Sequence, residues 1–153
     1  MGMLTTVPLE ELVRRAGTEI GVSDYVSISQ ETFNAFAEVT GYRQWIHCDP
    51  LRAAGSPFRW DDRPRIPHAC ACAHLARSGA PAWRLRHLAV NYGLDKLRFP
   101  APLPVGEQVR MWVALDAANP IPNGVALSLS LIFERPAGGK PVCVANVIYH
   151  VYE

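Results

Sequence analysis

Two stretches of the 153-residue chain hold side chains whose types and spacing suit chemistry. The first is Thr40-Gly41-Tyr42-Arg43-Gln44-Trp45-Ile46-His47-Cys48-Asp49-Pro50. It places one imidazole, His47, in a polar loop beyond a glycine suited to ending a helix. An imidazole changes charge near neutral pH, so a loop histidine is able to take up and return a proton. Taken alone, a single loop histidine is more often structural. The second stretch is His68-Ala69-Cys70-Ala71-Cys72-Ala73-His74, with four metal-type side chains at alternate positions. On a helix, residues two apart point about 200° apart, so these four do not converge on one ion. Structural zinc sites favour CxxC-type turns, and the interleaved alanines favour helix. The stretch reads as a tightly packed helix of small residues with no metal site. Nothing in the sequence calls for a nucleotide, flavin or other cofactor.

The elements that must position these residues follow from periodicity and caps. Residues 8–16 predict a short helix, with Leu9, Leu12, Val13 and Ala16 on one face and Gly17 as its stop. Residues 18–28 read as extended. Ser29 reads as an N-cap, with Ile28 and Phe33 at hydrophobic-staple spacing. A helix over about residues 30–40 then sets Phe33, Phe36, Ala37 and Thr40 on one stripe. Residues 41–65 are irregular, and a second helix is expected over about 67–78. That helix is apolar on most sides and therefore buried. Strands are expected over 87–99, 107–116, 125–134 and 142–152. Val109, Met111, Val113 and Leu115 share one face, as do Val125, Leu127, Leu129, Leu131 and Phe133. The last strand is apolar on both faces through much of its length. The plan is α+β: one domain, an antiparallel sheet wrapped around a central helix.

Composition removes several classes of function. Hydrophobic residues make up 49% and charged residues 19%, which excludes a disordered tail or linker. Fifteen basic residues against 14 acidic ones leave a net charge of +1, so no general pull toward nucleic acid or an anionic membrane arises. No apolar run approaches the ~20 residues needed to span a bilayer. Glu10, Glu11, Arg14 and Arg15 interrupt the first 16 residues, so no secretory start is expected. The four cysteines then read as reduced thiols in a cytoplasm. All but two of the basic residues are arginine, which with 13 prolines suggests a GC-rich, bacterial source.

The segment from Thr40 to Pro50 resembles the signature of the MaoC-like dehydratases, the hot-dog-fold (R)-specific enoyl-CoA hydratases, nearest the nodulation-protein-N-like branch. The family pattern is Thr-Gly-Asp, a few residues, Ile-His, then Asp-Pro. Thr40, Gly41, Gln44, Trp45, Ile46, His47, Asp49 and Pro50 stand where that pattern has them. Residues 17–24 match the family's opening strand. Ala53, Ala54, Ser56, Pro57 and Phe58 match the loop before the central helix. Residues 91–99, with Pro102, Val105 and Gly106, match a later strand and turn. The likeness covers nearly the whole chain in order.

The resemblance implies a hot-dog fold and reversible syn addition of water to a trans-2-enoyl thioester. In such enzymes an Asp and a His activate one water, and a backbone N–H at the start of the central helix polarises the thioester carbonyl. Carried across, the histidine is His47, the helix-start histidine is His68, and the carbonyl-polarising N–H belongs to Ala69 or Cys70. Asn91, Tyr92, Arg98 and Trp60 are the candidate substrate contacts. Trp45, Tyr92, Phe99 and Trp112 also read as core or dimer interface. The implied partners are an acyl-CoA or acyl-carrier-protein substrate and a second copy of the chain in a homodimer.

Three departures stand against the pattern. The catalytic Asp position holds Tyr42, a phenol whose ordinary pKa is about 10 and which cannot serve as a carboxylate base. Ala69 replaces a glycine, which tightens the approach to that backbone N–H. The loop between Phe58 and His68 is longer than usual and carries Arg59, Asp61, Asp62, Arg63 and Arg65 beside the expected site entrance. Three functions remain in view. The first is an enzyme on an enoyl or 3-hydroxyacyl thioester with retuned chemistry, such as a cyclisation in polyketide or other secondary metabolism. The second is a plain hydratase or dehydratase. The third is a non-catalytic protein that binds an acyl thioester or stabilises an active partner.

Overall fold

The structure, a computed structural model, describes residues 9–45, 49, 52 and 88–152. The expected central helix over 67–78 and its neighbouring loops lie outside the described residues. Helix α1 is Leu9–Arg14, with Glu10 and Glu11 in its first turn and Arg14 in its last. Those charges complement the ends of the helix dipole. Two short strands follow, β1 (Thr18–Val22) and β2 (Val26–Ser27).

Helix α2 is Gln30–Thr40, with the boundaries its caps dictate. Ser29 is extended, and its Oγ accepts the Thr32 N–H at 3.1 Å. Gly41 ends the helix in the left-handed region at φ 70°, where a Cβ would strain the backbone. Ser29→Ala is expected to destabilise the protein by about 1 kcal/mol. The check is a lower urea midpoint at an unchanged m-value. Ala37 is buried and Phe36 half-buried, but Thr40 is exposed and leaves the predicted stripe. Its hydroxyl donates to the Phe36 carbonyl at 2.7 Å, a local bond that needs no core. The Phe33 side chain, and with it the proposed staple, lies outside the described residues.

Four long strands carry the sheet: β3 (Leu88–Arg98), β4 (Gln108–Ile121), β5 (Gly124–Glu134) and β6 (Cys143–Tyr152). The strand order is β1-β4-β5-β6-β3, with β2 also on β4, and every described pairing is antiparallel. β4 runs past the expected end at residue 116. Ala117, Ala118, Asn119 and Pro120 disfavour strand by composition, yet all pair with β5. Beyond Leu115 the other side of β4 has no partner in β1, so the missing proline N–H costs little there. A two-residue connection, Pro122-Asn123, closes the hairpin, with Asn123 at φ 61°.

One sheet face is buried. Val109, Met111, Val113 and Leu115 of β4 meet Leu127, Leu129 and Phe133 of β5 and Cys143 and Val151 of β6. Ile20, Ile28, Ala37, Leu103 and Val142 close around them. Leu131 is only partly buried beside this cluster. β3 is different: it pairs with β6 alone and is exposed along nearly all its length. Two register shifts make Tyr92 and Asp95 its extra residues.

The opposite face carries a compact charged and aromatic cluster. The Arg110 guanidinium lies 4.8 Å from the Tyr25 ring centre and 5.0 Å from that of Trp112. Arg110 Nε donates to Glu134 Oε1 at 2.6 Å, and the Trp112 indole N–H donates to the same oxygen at 2.7 Å. The indole bond and Arg110 hold the Glu134 carboxyl below its ordinary value of 4.5, against the opposing effect of partial burial. A carboxyl depressed in the fold contributes stability above its ordinary pKa and loses it as pH falls through the folded value. Glu134→Gln is therefore expected to be less stable than wild type at neutral pH. The difference should close as the pH is taken below 4.5, measured as urea midpoints along a pH series.

Candidate functional site

The loop after α2 is organised by short-range bonds. The Thr40 hydroxyl, already bonded to the helix, accepts the Tyr42 N–H at 3.4 Å. The left-handed Gly41 turns the chain away from the helix axis, and Tyr42 is left 42% exposed. Its phenol donates to Gln44 Oε1 at 3.2 Å. Arg43 forms an ion pair with Glu38 on the last turns of α2.

The far side of the loop is fastened through Asp49. Its Oδ1 accepts the Arg52 N–H at 3.0 Å, and its own N–H donates to the Trp45 carbonyl at 2.9 Å. The Arg52 guanidinium lies 4.6 Å from the Trp45 ring centre. A carboxylate used in this way fixes a turn. The expected core reading of Trp45 fails, because its ring is exposed and held by Arg52 at the surface. Tyr42–Gln44 on one side and Trp45–Asp49–Arg52 on the other thus bracket the sequence position of His47. His47 itself, with His68, Ala69, Cys70 and Trp60, lies outside the described residues.

The three candidate contacts on β3 do not share one face. Asn91 stands opposite Tyr149, which packs on the core. Tyr92 is the extra residue of a bulge, and its ring stacks on His150 with 3.7 Å between centres and 12° between planes. His150 alternates with Tyr149 and Val151, so this stack belongs to the face opposite the core. His150 Nδ1 lies 3.3 Å from the Tyr152 hydroxyl. Tyr92 is thus not a core residue, and neither is Trp112, whose indole belongs to the Arg110–Glu134 cluster. Arg98 donates from Nη1 to the Leu97 carbonyl at 2.8 Å. Phe99, also read as core or interface, is 44% exposed, which removes the core reading. The sequence reading did not anticipate Gln44 as the partner of the Tyr42 phenol. Its signal was the two-residue spacing within a loop, too common to single out.

Among the described residues, no group of three or more His, Cys, Asp or Glu side chains is placed to hold a metal ion. Among them, too, no helix is long and apolar enough to cross a membrane.

An antiparallel sheet with one buried face, beside a capped helix and its Thr-Gly turn, is an α+β arrangement, and its likeness to solved MaoC-type structures gives it the hot-dog class. Residues 11–124 match the model of the MaoC like domain family, and the chain belongs to that family. It is 40% identical over 156 residues to 3-hydroxyacyl-thioester dehydratase Z of Mycobacterium tuberculosis (strain ATCC 25618 / H37Rv), covering 95% of this chain and 97% of that one. It is 34% identical over 144 residues to nodulation protein N of Rhizobium meliloti (strain 1021), covering 93% and 89%. The unliganded R-hydratase PhaJ1 from Pseudomonas aeruginosa superposes with a TM-score of 0.71 at 21% identity, over 97% of this chain and 87% of that one. This last likeness shows the fold. The chain is accordingly a member of a family of the dehydratase/hydratase type, whose named reaction is that of a carbon–oxygen lyase.

Proposed function

We propose that this chain acts on a 3-hydroxyacyl or trans-2-enoyl thioester, with His47 as its acid/base and Tyr42 in place of the family's carboxylate. The observation that carries the reading is the near full-length likeness to a 3-hydroxyacyl-thioester dehydratase, 40% identical over 97% of that protein. In the dehydrating direction, neutral His47 takes a proton from C2 and returns it to the departing 3-hydroxyl. The C3–O bond breaks, the C2=C3 bond forms and water leaves. The backbone N–H of Ala69 or Cys70, next to His68 in the sequence, is the donor proposed to hold the thioester oxygen as it gains charge.

Tyr42 cannot supply a carboxylate's basicity. The phenol, bonded to Gln44, stands at that position as a hydrogen-bonding group and weak acid toward a substrate oxygen. A site so altered favours a substrate that needs little help from a second base, such as one whose own nucleophile is already in place. This is the sense in which a tailoring reaction such as cyclisation in secondary metabolism fits. The replaced carboxylate also supports a second reading, a non-catalytic partner that binds the acyl thioester.

Asn91, Arg98 and Trp60 are proposed contacts to the acyl carrier, which is either CoA or a carrier protein, and the cytoplasm is the proposed location. Tyr92 and Arg98, both on the outer face of the sheet, support such a role less well than Asn91, which stands on the core face. The exposed outer edge of β3 supports a homodimer joined through that strand. The proposal is tested with longer 3-hydroxyacyl-CoA substrates, reading gain of enoyl absorbance. Turnover that depends on His47 upholds it. Stoichiometric binding of acyl thioesters without turnover favours the second reading.

A further inference from the structure

We propose that the sheet face opposite the core is an interface with a second copy of this chain. The two sheets would pack back to back about a two-fold axis running along β5. This inference stands apart from the catalytic reading. It starts from register. Glu19 pairs with Ala114, Ala114 with Ser130, Ser130 with Asn146, and Asn146 with Lys96. These five residues form one row across five strands. The neighbouring row is Val22, Trp112, Ile132, Val144 and Arg98. Both rows alternate along the strands with core residues such as Met111, Phe133 and Cys143, so both lie on the outer face.

The second row is apolar over four consecutive strands. Val22 is 41% and Ile132 43% exposed, with Trp112 and Val144 half-buried between them. A hollow of about 320 Å³ opens beside this row, bordered by Glu19, Trp112, Ser130, Ile132 and Glu134. The polar side chains nearest the axis are already satisfied. Ser130 Oγ donates to Asp116 Oδ2 at 2.7 Å, and Asn146 Nδ2 donates to Ser130 Oγ at 2.8 Å. Their burial therefore costs less than that of unpaired groups.

Charge selects the occupant. The β1 end of the face carries Glu19, and the β3 end carries Lys96 and Arg98. Among the described residues, neither Glu19 nor Lys96 has a side-chain ion pair. β5 is the middle strand of the order, so a two-fold axis along it lays β1 over the partner's β3. Glu19 then meets the partner's Lys96, and Lys96 meets the partner's Glu19. Ile132 meets its own copy on the axis, as does Glu134 of the same strand with its charge matched by Arg110, and Trp112 covers the partner's Val144. Acid at one edge and base at the other, in the same rows, is the self-complementarity an isologous contact requires. Four strands of 10 to 14 residues and the five-residue β1, about 4.8 Å apart, give a face on the order of 800 Å², the size of a standard interface's ~800 Å² per partner.

The test is sedimentation equilibrium of the full chain over a range of concentration. Glu19→Lys and Lys96→Glu should each weaken association by on the order of tenfold or more, since each sets two like-charge pairs face to face. The double variant Glu19→Lys/Lys96→Glu should restore it. Ile132→Asp should abolish this contact while the circular dichroism stays that of wild type. Glu19 lies at the sheet edge opposite β3, so its reversal leaves any pairing through the β3 edge in place. If that pairing also forms, the variant halves the mass of the assembly and does not reduce it to monomer. A wild type without this association, an association unmoved by both single reversals and Ile132→Asp, or a double variant no tighter than the singles overturns the proposal.

Discussion

His47→Ala is expected to lower turnover of a 3-hydroxyacyl or trans-2-enoyl thioester by about 10²–10⁴-fold, the usual contribution of a positioned acid/base. The loss should fall on kcat, with KM changed little, because the imidazole acts on protons in flight and not on the bound acyl chain. In this chain the effect should lie toward the lower end, because the members of a catalytic pair act as a unit and one is already changed. Tyr42, bonded to Gln44, stands where a carboxylate would share the work. Steady-state rates of wild type and variant on one substrate measure the effect. Rates within a few-fold of each other would remove His47 from the chemistry.

The largest expected effect on stability belongs to Phe133. Its side chain is 1% exposed on the core face of β5, opposite Met111 and Cys143 on the two flanking strands. Phe133→Ala removes a buried ring from the central strand, near its C-terminal end, and leaves a cavity. The expected cost is about 3–5 kcal/mol, a large part of the ~5–15 kcal/mol that holds a typical domain together. The neighbouring Ile132 points the other way, and Ile132→Ala should cost the folded monomer far less. Urea midpoints of the two variants compare them directly. Equal losses would contradict the assignment of faces.

Much of this was legible in the sequence wherever local chemistry decides structure. Ser29 and Gly41 fix the ends of α2 by backbone geometry alone. The alternation in residues 107–116 and 125–134 marks the buried face, because a strand's side chains have a period of two. The misses have physical causes. Pairing with β5 carried β4 through alanine, asparagine and proline, where composition suggests a loop. A bulge, which no periodicity announces, turned Tyr92 onto His150. Trp112 looked like core, but an indole N–H with a carboxylate and a guanidinium in reach is satisfied on the outer face. At the candidate site, the Thr-Gly-Tyr motif located the loop and its departure from the family. The Tyr42–Gln44 contact became visible only in three dimensions.

That departure is also where the account is most exposed. The direct measurement is the rate of enoyl absorbance loss with crotonyl-CoA, for wild type and Tyr42→Asp side by side. The account predicts a slow or silent wild type. It predicts a clear gain on restoring the carboxylate, abolished again when His47→Ala is added. A wild type that hydrates crotonyl-CoA at ordinary enzymatic rates, with Tyr42→Asp no faster, would contradict it and show that the phenol's position is not what governs the reaction.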